Sequence, residues 1–220
     1  LAVRRELGIP DGALVVGKIA RLFPLKGHEQ LLAAAPAIVR RHPDVRFLLV
    51  GDGVLYDNLC ARARALGILD HFVFTGLVDR EKIPRMVAAM DILVHTSLHE
   101  GLARALVQAL AMGKPCVAFD LDGAPEIVIS GKTGYLVQPG DLAGLSESIS
   151  ALLSDPGMRR RMGEEGRRLT DPAFRAETMV DRIAGVYQSL RIRHARRLAR
   201  FDAGARSYHR MRPGLAARWL

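Results

Sequence analysis

Six short stretches of the chain are apolar at consecutive positions rather than at alternate ones: ALVVGKIA (13–20), VRFLLVG (45–51), HFVFTG (71–76), DILVHTS (91–97), PCVAFD (115–120) and GYLVQ (134–138). Strands of this kind are covered on both faces, as in a parallel sheet. Between them the apolar positions recur with helical spacing, at 27–42, 55–67, about 80–90 and in HEGLARALVQALAMGKP from His99 to Pro115. Pro36 marks a kink or a late start in the first of these helices. A short helix near Pro125 precedes the last strand. The alternation predicts an α/β fold built on a doubly wound parallel sheet, Rossmann-like, with ligands expected just beyond the carboxyl ends of the strands.

After residue 140 the strand pattern stops, and helices are expected at about 141–154, 156–169 and 172–198. Asp141, Asp155 and Asp171 stand where each would be capped. From Asp202 onward there is little periodic pattern, which leaves that end either disordered or docked on something else. No internal repeat is evident.

Composition narrows the class. With 220 residues and 49% hydrophobic content the chain can bury a core of ordinary size. The net charge of +9 suggests an anionic partner until its distribution is read: residues 190–220 hold nine arginines against one acid, which leaves 23 basic and 22 acidic residues in 1–189. The body is balanced and only the tail is basic. No aromatic residues interleave with the basic ones in the body, which disfavours nucleic acid. Cys60 and Cys116 cannot build a disulfide framework, so a reduced, cytoplasmic setting is the default. No apolar run reaches membrane-spanning length, and no signal-peptide series opens the chain. The start at Leu1 rather than Met suggests a fragment or an excised domain.

Four segments fall at the ends of expected strands. Arg21 and Lys26 follow the first, and two fixed cations there suit a diphosphate, although surface cations are often only solvated. Gly51 and Gly53 in LLVGDG permit close backbone approach to a ligand or serve a plain turn. Gly76, Leu77 and Val78 would rim a base pocket or form another turn. In the His99–Pro115 stretch, Glu100, Arg104 and Gln108 are four apart, so on a helix they share one narrow face and span roughly 12 Å. The amides of Gly101, Leu102 and Ala103 would then open that helix as an anion site. The competing reading is that Arg104 and Gln108 merely face water. Gly131 and the turn at 139–141 are most simply structural. The seven histidines are scattered without metal-ligand spacing, so no metal is expected, and His95 and His99 read as packing or rim residues.

Taken in order, ARLFPLKG, LLVGDG and EGLARALVQALAMGKPCVAFDLDGAPEIVISGKTGYLVQPGD resemble the carboxyl-terminal half of a GT-B glycosyltransferase of the large retaining family 4 (glycosyl transferases group 1). The resemblance runs from about Leu7 to Leu190. It implies a domain at 1–189 that binds a nucleoside diphosphate sugar, such as a UDP-sugar, as donor substrate with no further cofactor. A basic tail at 190–220 would follow, and an amino-terminal domain absent from this chain would bind a glycan or lipid acceptor. By the same resemblance Arg21 and Lys26 would hold the diphosphate and Glu100 the hydroxyls of the transferred sugar. The amides of Gly101 to Ala103 would take phosphate oxygens, and position 108 would meet the ribose.

Three positions depart from the family pattern: Gln108 where a second Glu is usual, Ala103 where a second glycine is common, and Ala20 where a glycine often precedes the Arg. An amide presents one acceptor oxygen where a carboxylate presents two, a loss on the order of 1 kcal/mol. The resemblance implies a transferase, active in polysaccharide synthesis, that is inactive as this fragment alone. The alternatives are a nucleotide-sugar epimerase of the same fold and a binding module without turnover. For the tail, three readings stay open: a solvated end, a segment crossing to the missing domain, or peripheral contact with the anionic inner face of the membrane.

Overall fold

The computed structural model describes residues 2–210, and their side chains through 198. Six parallel strands, β1 (Val15–Ile19), β2 (Arg46–Val50), β3 (Phe72–Phe74), β4 (Ile92–His95), β5 (Cys116–Phe119) and β6 (Gly134–Val137), form one sheet in the order β3-β2-β1-β4-β5-β6. Each lies inside one of the six apolar runs. The strand order reverses between β1 and β4, and that reversal opens a crevice at the carboxyl edge of the sheet.

The helices of the first compact unit, which extends through Pro172, are α1 (Ala2–Glu6), α2 (His28–Arg41), α3 (Tyr56–Ala65), α4 (Ile83–Ala89), α5 (Arg104–Ala111), α6 (Leu142–Ser154) and α7 (Pro156–Thr170). Along each strand alternate residues face opposite ways. On one face Val16, Phe47, Leu49, Val94, Val117 and Phe119 pack under α2 and α6 through Leu31, Ala35, Ile38, Leu145 and Ile149. The other face lies under α4 and α5, and Gly17 has no side chain there because the Met90 thioether would sit 2.0 Å from its Cβ. Pro36 lies inside α2 and does not delay its start.

Asp141 and Asp155 cap α6 and α7, their carboxylates accepting from Gly144 N–H and Met158 N–H at 2.8 Å each. Asp171 lies five residues ahead of the next helix rather than directly before it. It closes α7, its N–H donating to Arg167 O, and the next helix starts only at Ala176. That helix, α8 (Ala176–Arg210), belongs to a second compact unit beginning at Ala173. It runs through residues 202–210, which lack an amphipathic pattern; their alanines and arginines are good helix formers, and propensity suffices to continue a helix already nucleated. The last ten residues of the basic tail at 190–220 lie outside the described residues. Among the described residues no helix is long and apolar enough to cross a membrane.

Candidate functional site: a crevice where the strand order reverses

The chain leaves β1 at Ile19 and turns through Ala20–Gly27 before α2 begins, and this loop is pinned at many points. Ala20 N–H donates to Val50 O, Leu22 N–H to Asp52 O, Leu55 N–H to Leu22 O and Leu98 N–H to Leu25 O. His28 Nε2–H donates to the Arg21 carbonyl at 3.0 Å. Because a carbonyl only accepts, this bond fixes the tautomer and leaves His28 Nδ1 bare, and no protein donor meets that buried atom. The loop therefore presents Arg21 and Lys26 from a rigid frame. The Arg21 guanidinium lies 5.0 Å over the Phe23 ring, and Lys26 Nζ donates to Glu100 Oε2 at 2.5 Å.

Glu100 approaches from the other side of the reversal, in the loop after β4. The expected helix does not include it. α5 begins at Arg104, with Ala103 extended at its entrance (φ −75°, ψ 93°), so only Arg104 and Gln108 share a helical face. The reason lies in contacts remote in sequence. Glu100 N–H donates to Asp122 Oδ2 at 2.7 Å, its carboxylate is held by Lys26, and Gly123 packs so close to Gly101 O that a Cβ would come within 2.2 Å. A helix starting at Glu100 would break those contacts. The amides proper to the helix N-terminus are accordingly those of Arg104 and Ala105, ahead of the first bonded one, Leu106 N–H to Ala103 O. The expected trio Gly101, Leu102 and Ala103 lies in the loop before it. With Ala103 in place of a Ser, Thr or Asp, no side chain caps this end.

These segments enclose a crevice of about 610 Å³. Arg21 and Lys26 line it from the β1 loop, Gly51 from the end of β2, and Leu77 and Val78 from the end of β3. Glu100, Ala103, Arg104 and Gln108 line the opposite wall, so both polar residues of the α5 stripe face the crevice. Gly53, Gly101 and Leu102 do not line it. Gly53 serves packing instead, since a Cβ would lie 2.5 Å from Leu22 O and 2.6 Å from the Phe23 ring. Arg80, Ile83 and His95 also line the wall. Four cations, Arg21, Lys26, Arg80 and Arg104, thus surround one carboxylate, and the crevice suits an anion carrying hydroxyl groups.

Beneath it lies a buried polar layer. Lys18, in β1, is fully buried and donates to Thr96 Oγ1 at 2.9 Å; burial and the neighbouring Lys26 lower its pKa to about 7, opposed by Glu100 and Glu29. His28 and His95 are each lowered to about 3 by burial and by Lys18, with Lys26 adding to the effect on His95. Both rings are therefore neutral at physiological pH. Among the described residues no group of three or more His, Cys, Asp or Glu side chains is placed to hold a metal ion.

The profile of the family described as "Glycosyl transferases group 1" matches residues 2–169. The chain belongs to this family. It is 35% identical over 172 residues to a GDP-mannose-dependent alpha-(1-6)-phosphatidylinositol monomannoside mannosyltransferase of Mycolicibacterium smegmatis, covering 75% of this chain and 45% of that protein. To the alpha-D-kanosaminyltransferase of Streptomyces kanamyceticus it is 29% identical over 188 residues, 86% of this chain and 48% of that one. Among solved structures, Anabaena HepE in complex with UDP superposes with a TM-score of 0.79 at 30% identity, covering 86% of this chain and 52% of that one. The C-terminal domain of the group 1 glycosyl transferase LpcC from Francisella tularensis shares the fold at a TM-score of 0.72 and 24% identity, with 78% of this chain and 91% of that one covered. The chain thus spans about half the length of the curated relatives it matches, and its fold is the Rossmann-like C-terminal half of the GT-B architecture.

Sequence reasoning alone did not single out Lys18, Thr96, His28, Asp122 or Arg80. One signal was available: a lysine within the run VVGKI is out of place in a strand buried on both faces. Asp122–Gly123 reads as an ordinary turn pair, and its grip on Glu100 depends on β5 lying beside β4.

Proposed function

We propose that this chain is the donor-binding half of a retaining hexosyltransferase of family 4, taking a nucleoside diphosphate sugar into the crevice between β1 and β4. The observation that carries the reading is the meeting of Arg21 and Lys26 with Glu100 across the strand reversal, with Gln108 about one turn along α5 from its open amides. The diphosphate would lie against Arg21, Lys26 and the amides of Arg104 and Ala105, and the sugar hydroxyls against Glu100. The ribose would lie near Gln108, and the base against the backbone at Leu77 and Val78. A UDP-sugar is the first donor to try, because the similar HepE was crystallised with UDP.

Lys26 and Glu100 form an ion pair in which each neutralises the other. A diphosphate at Lys26 would compete for the ammonium and release Glu100 to accept from the sugar. As the bond from the anomeric carbon to the diphosphate breaks, negative charge grows on the leaving phosphate, and fixed cations and helix amides stabilise it there. The acceptor, a glycan or lipid hydroxyl, would attack from the side on which the diphosphate departs, giving retention. It would be delivered by a domain outside these 220 residues, so the chain alone should bind donor and transfer nothing. A cytoplasmic site of action with peripheral membrane contact through the basic tail belongs to the same proposal.

The test is a thermal-shift panel of UDP-, GDP- and ADP-sugars. Saturation at about 100 times Kd adds about 2.7 kcal/mol, a rise of roughly 5–10 °C for a domain of this size. A panel that leaves the melting temperature unmoved overturns the proposal. Binding without transfer or hydrolysis by the whole protein that carries this chain would instead favour a module without turnover, the reading to which Gln108 in place of a carboxylate lends itself.

A further inference from the structure

Lys18 is fully buried, and it is charged or chargeable where its strand neighbours are apolar. Its ammonium donates to the Thr96 hydroxyl, and that hydroxyl donates on to the Gly27 carbonyl at 2.6 Å. Gly27 follows Lys26 directly and sits left-handed at φ 67°, so close to β4 that a Cβ would fall 1.8 Å from Thr96 O. A relay therefore runs from the middle of the sheet to the loop that presents Lys26. Thr96 accepts only one of the three N–H bonds an ammonium offers, and among the described residues no carboxylate pairs with it. The polar groups around it are Lys26 from the β1 loop, His28 and Glu29 from α2, His95 and Thr96 from β4 and the segment just after it, and Glu100 from the loop before α5. His28 Nδ1 and His95 Nε2 in this layer are buried without a protein partner. A cation placed so, without its counter-ion, is costly unless an anion arrives.

We propose that Lys18 is a positioning residue of the donor crevice, holding the Lys26 loop in place through Thr96 and drawing in a proton when a diphosphate occupies the site above it. This rests on the diphosphate reading of the crevice. Lys18 acts through Lys26 and the field beneath the site rather than by touching the donor. With its pKa lowered to about 7, it is partly neutral at physiological pH. A bound diphosphate favours the charged form, so binding takes up a proton and affinity falls as pH rises above 7. His28 and His95, held near 3, stay neutral throughout that range and do not contribute.

The experiment titrates the 220-residue chain with UDP-glucose, GDP-mannose and ADP-glucose by calorimetry at pH 6.5, 7.5 and 8.5, in buffers of different ionisation enthalpy. Sugar nucleotides serve because their esterified diphosphates do not titrate across this range. The wild type is expected to take up a fraction of a proton at pH 7.5 and to lose roughly three- to tenfold in affinity between pH 6.5 and 8.5. Lys18→Met should bind more weakly at pH 6.5, with no uptake and a flat pH profile, while melting no lower than the wild type. Thr96→Val, which cuts the relay but keeps the ammonium, should weaken binding and retain the uptake. A wild type with no proton uptake, or a Lys18→Met variant that keeps the pH dependence, overturns the inference. If none of the three donors binds the wild type, the diphosphate reading itself falls and takes this inference with it.

Discussion

Acidification should unfold this protein through the two histidines under the crevice. His28 and His95 are lowered from 6.5 to about 3 in the folded state, chiefly by burial. An unfolded chain would protonate both near pH 6.5, whereas the folded chain resists until about pH 3. The stability their neutral forms support is thus complete above 6.5 and is lost as pH falls below it. Two extra protons on the unfolded state give a slope of about 3 kcal/mol per pH unit once both are charged there, and about 5 kcal/mol is lost between pH 6.5 and 4.5. That equals the whole stability of a weak domain. His42, lowered by burial and by Arg41, adds in the same direction. Lys18 contributes nothing in this window, since below pH 7 it is largely protonated in both states, but it makes stability rise again from pH 7 towards 10. Urea unfolding followed by circular dichroism at pH 7.5, 6.5, 5.5 and 4.5 would measure the slope. The comparison is a double variant, His28→Gln, which can still donate to the Arg21 carbonyl, with His95→Leu, which removes a ring nitrogen lacking any protein partner. The variant should lose most of the slope. An identical slope in the two proteins would refute the reasoning.

Other consequences follow from single contacts. Gly27→Ala would place a Cβ against Thr96 O in a left-handed backbone, so a loss of at least about 3 kcal/mol is expected, read as a lower urea midpoint together with weakened donor binding. Gln108→Glu should leave nucleoside diphosphate affinity unchanged or tighten it by up to about tenfold, near 1 kcal/mol, in an equilibrium titration; a large loss would show that the amide is needed. Arg104→Ala should weaken that affinity and flatten its dependence on salt, and an unaltered salt dependence would remove Arg104 from the phosphate. Deletion of residues 199–220 should abolish sedimentation with anionic vesicles if the basic tail is a membrane contact, and equal sedimentation of the shortened chain would exclude that role.

The apolar runs and helical spacings were sufficient to place every strand and to infer a doubly wound parallel sheet, because burial on both faces leaves a local signature in each strand. The lining of the candidate crevice was legible to the same extent. Arg21, Lys26, Leu77, Val78, Arg104 and Gln108 could be placed at strand ends or on a helix face from their neighbours, and all line the crevice. Glu100 lines it too, but from a loop, since the pattern of apolar positions cannot register an Asp122 carboxylate 22 residues away taking its amide. Gly53 does not line it, and its missing side chain makes room for Leu22 and Phe23, contacts that no local pattern registers.

Sequence by itself therefore determined the order and kind of the elements and the charges carried to the end of each strand, all properties of residues close in the chain. Tertiary structure alone decided where α5 starts, that Lys18 lies wholly out of water, and that Thr96 links it to the Lys26 loop. Those outcomes depend on strands 78 residues apart lying side by side, and a lysine's cost and charge are set by whatever the fold closes around it.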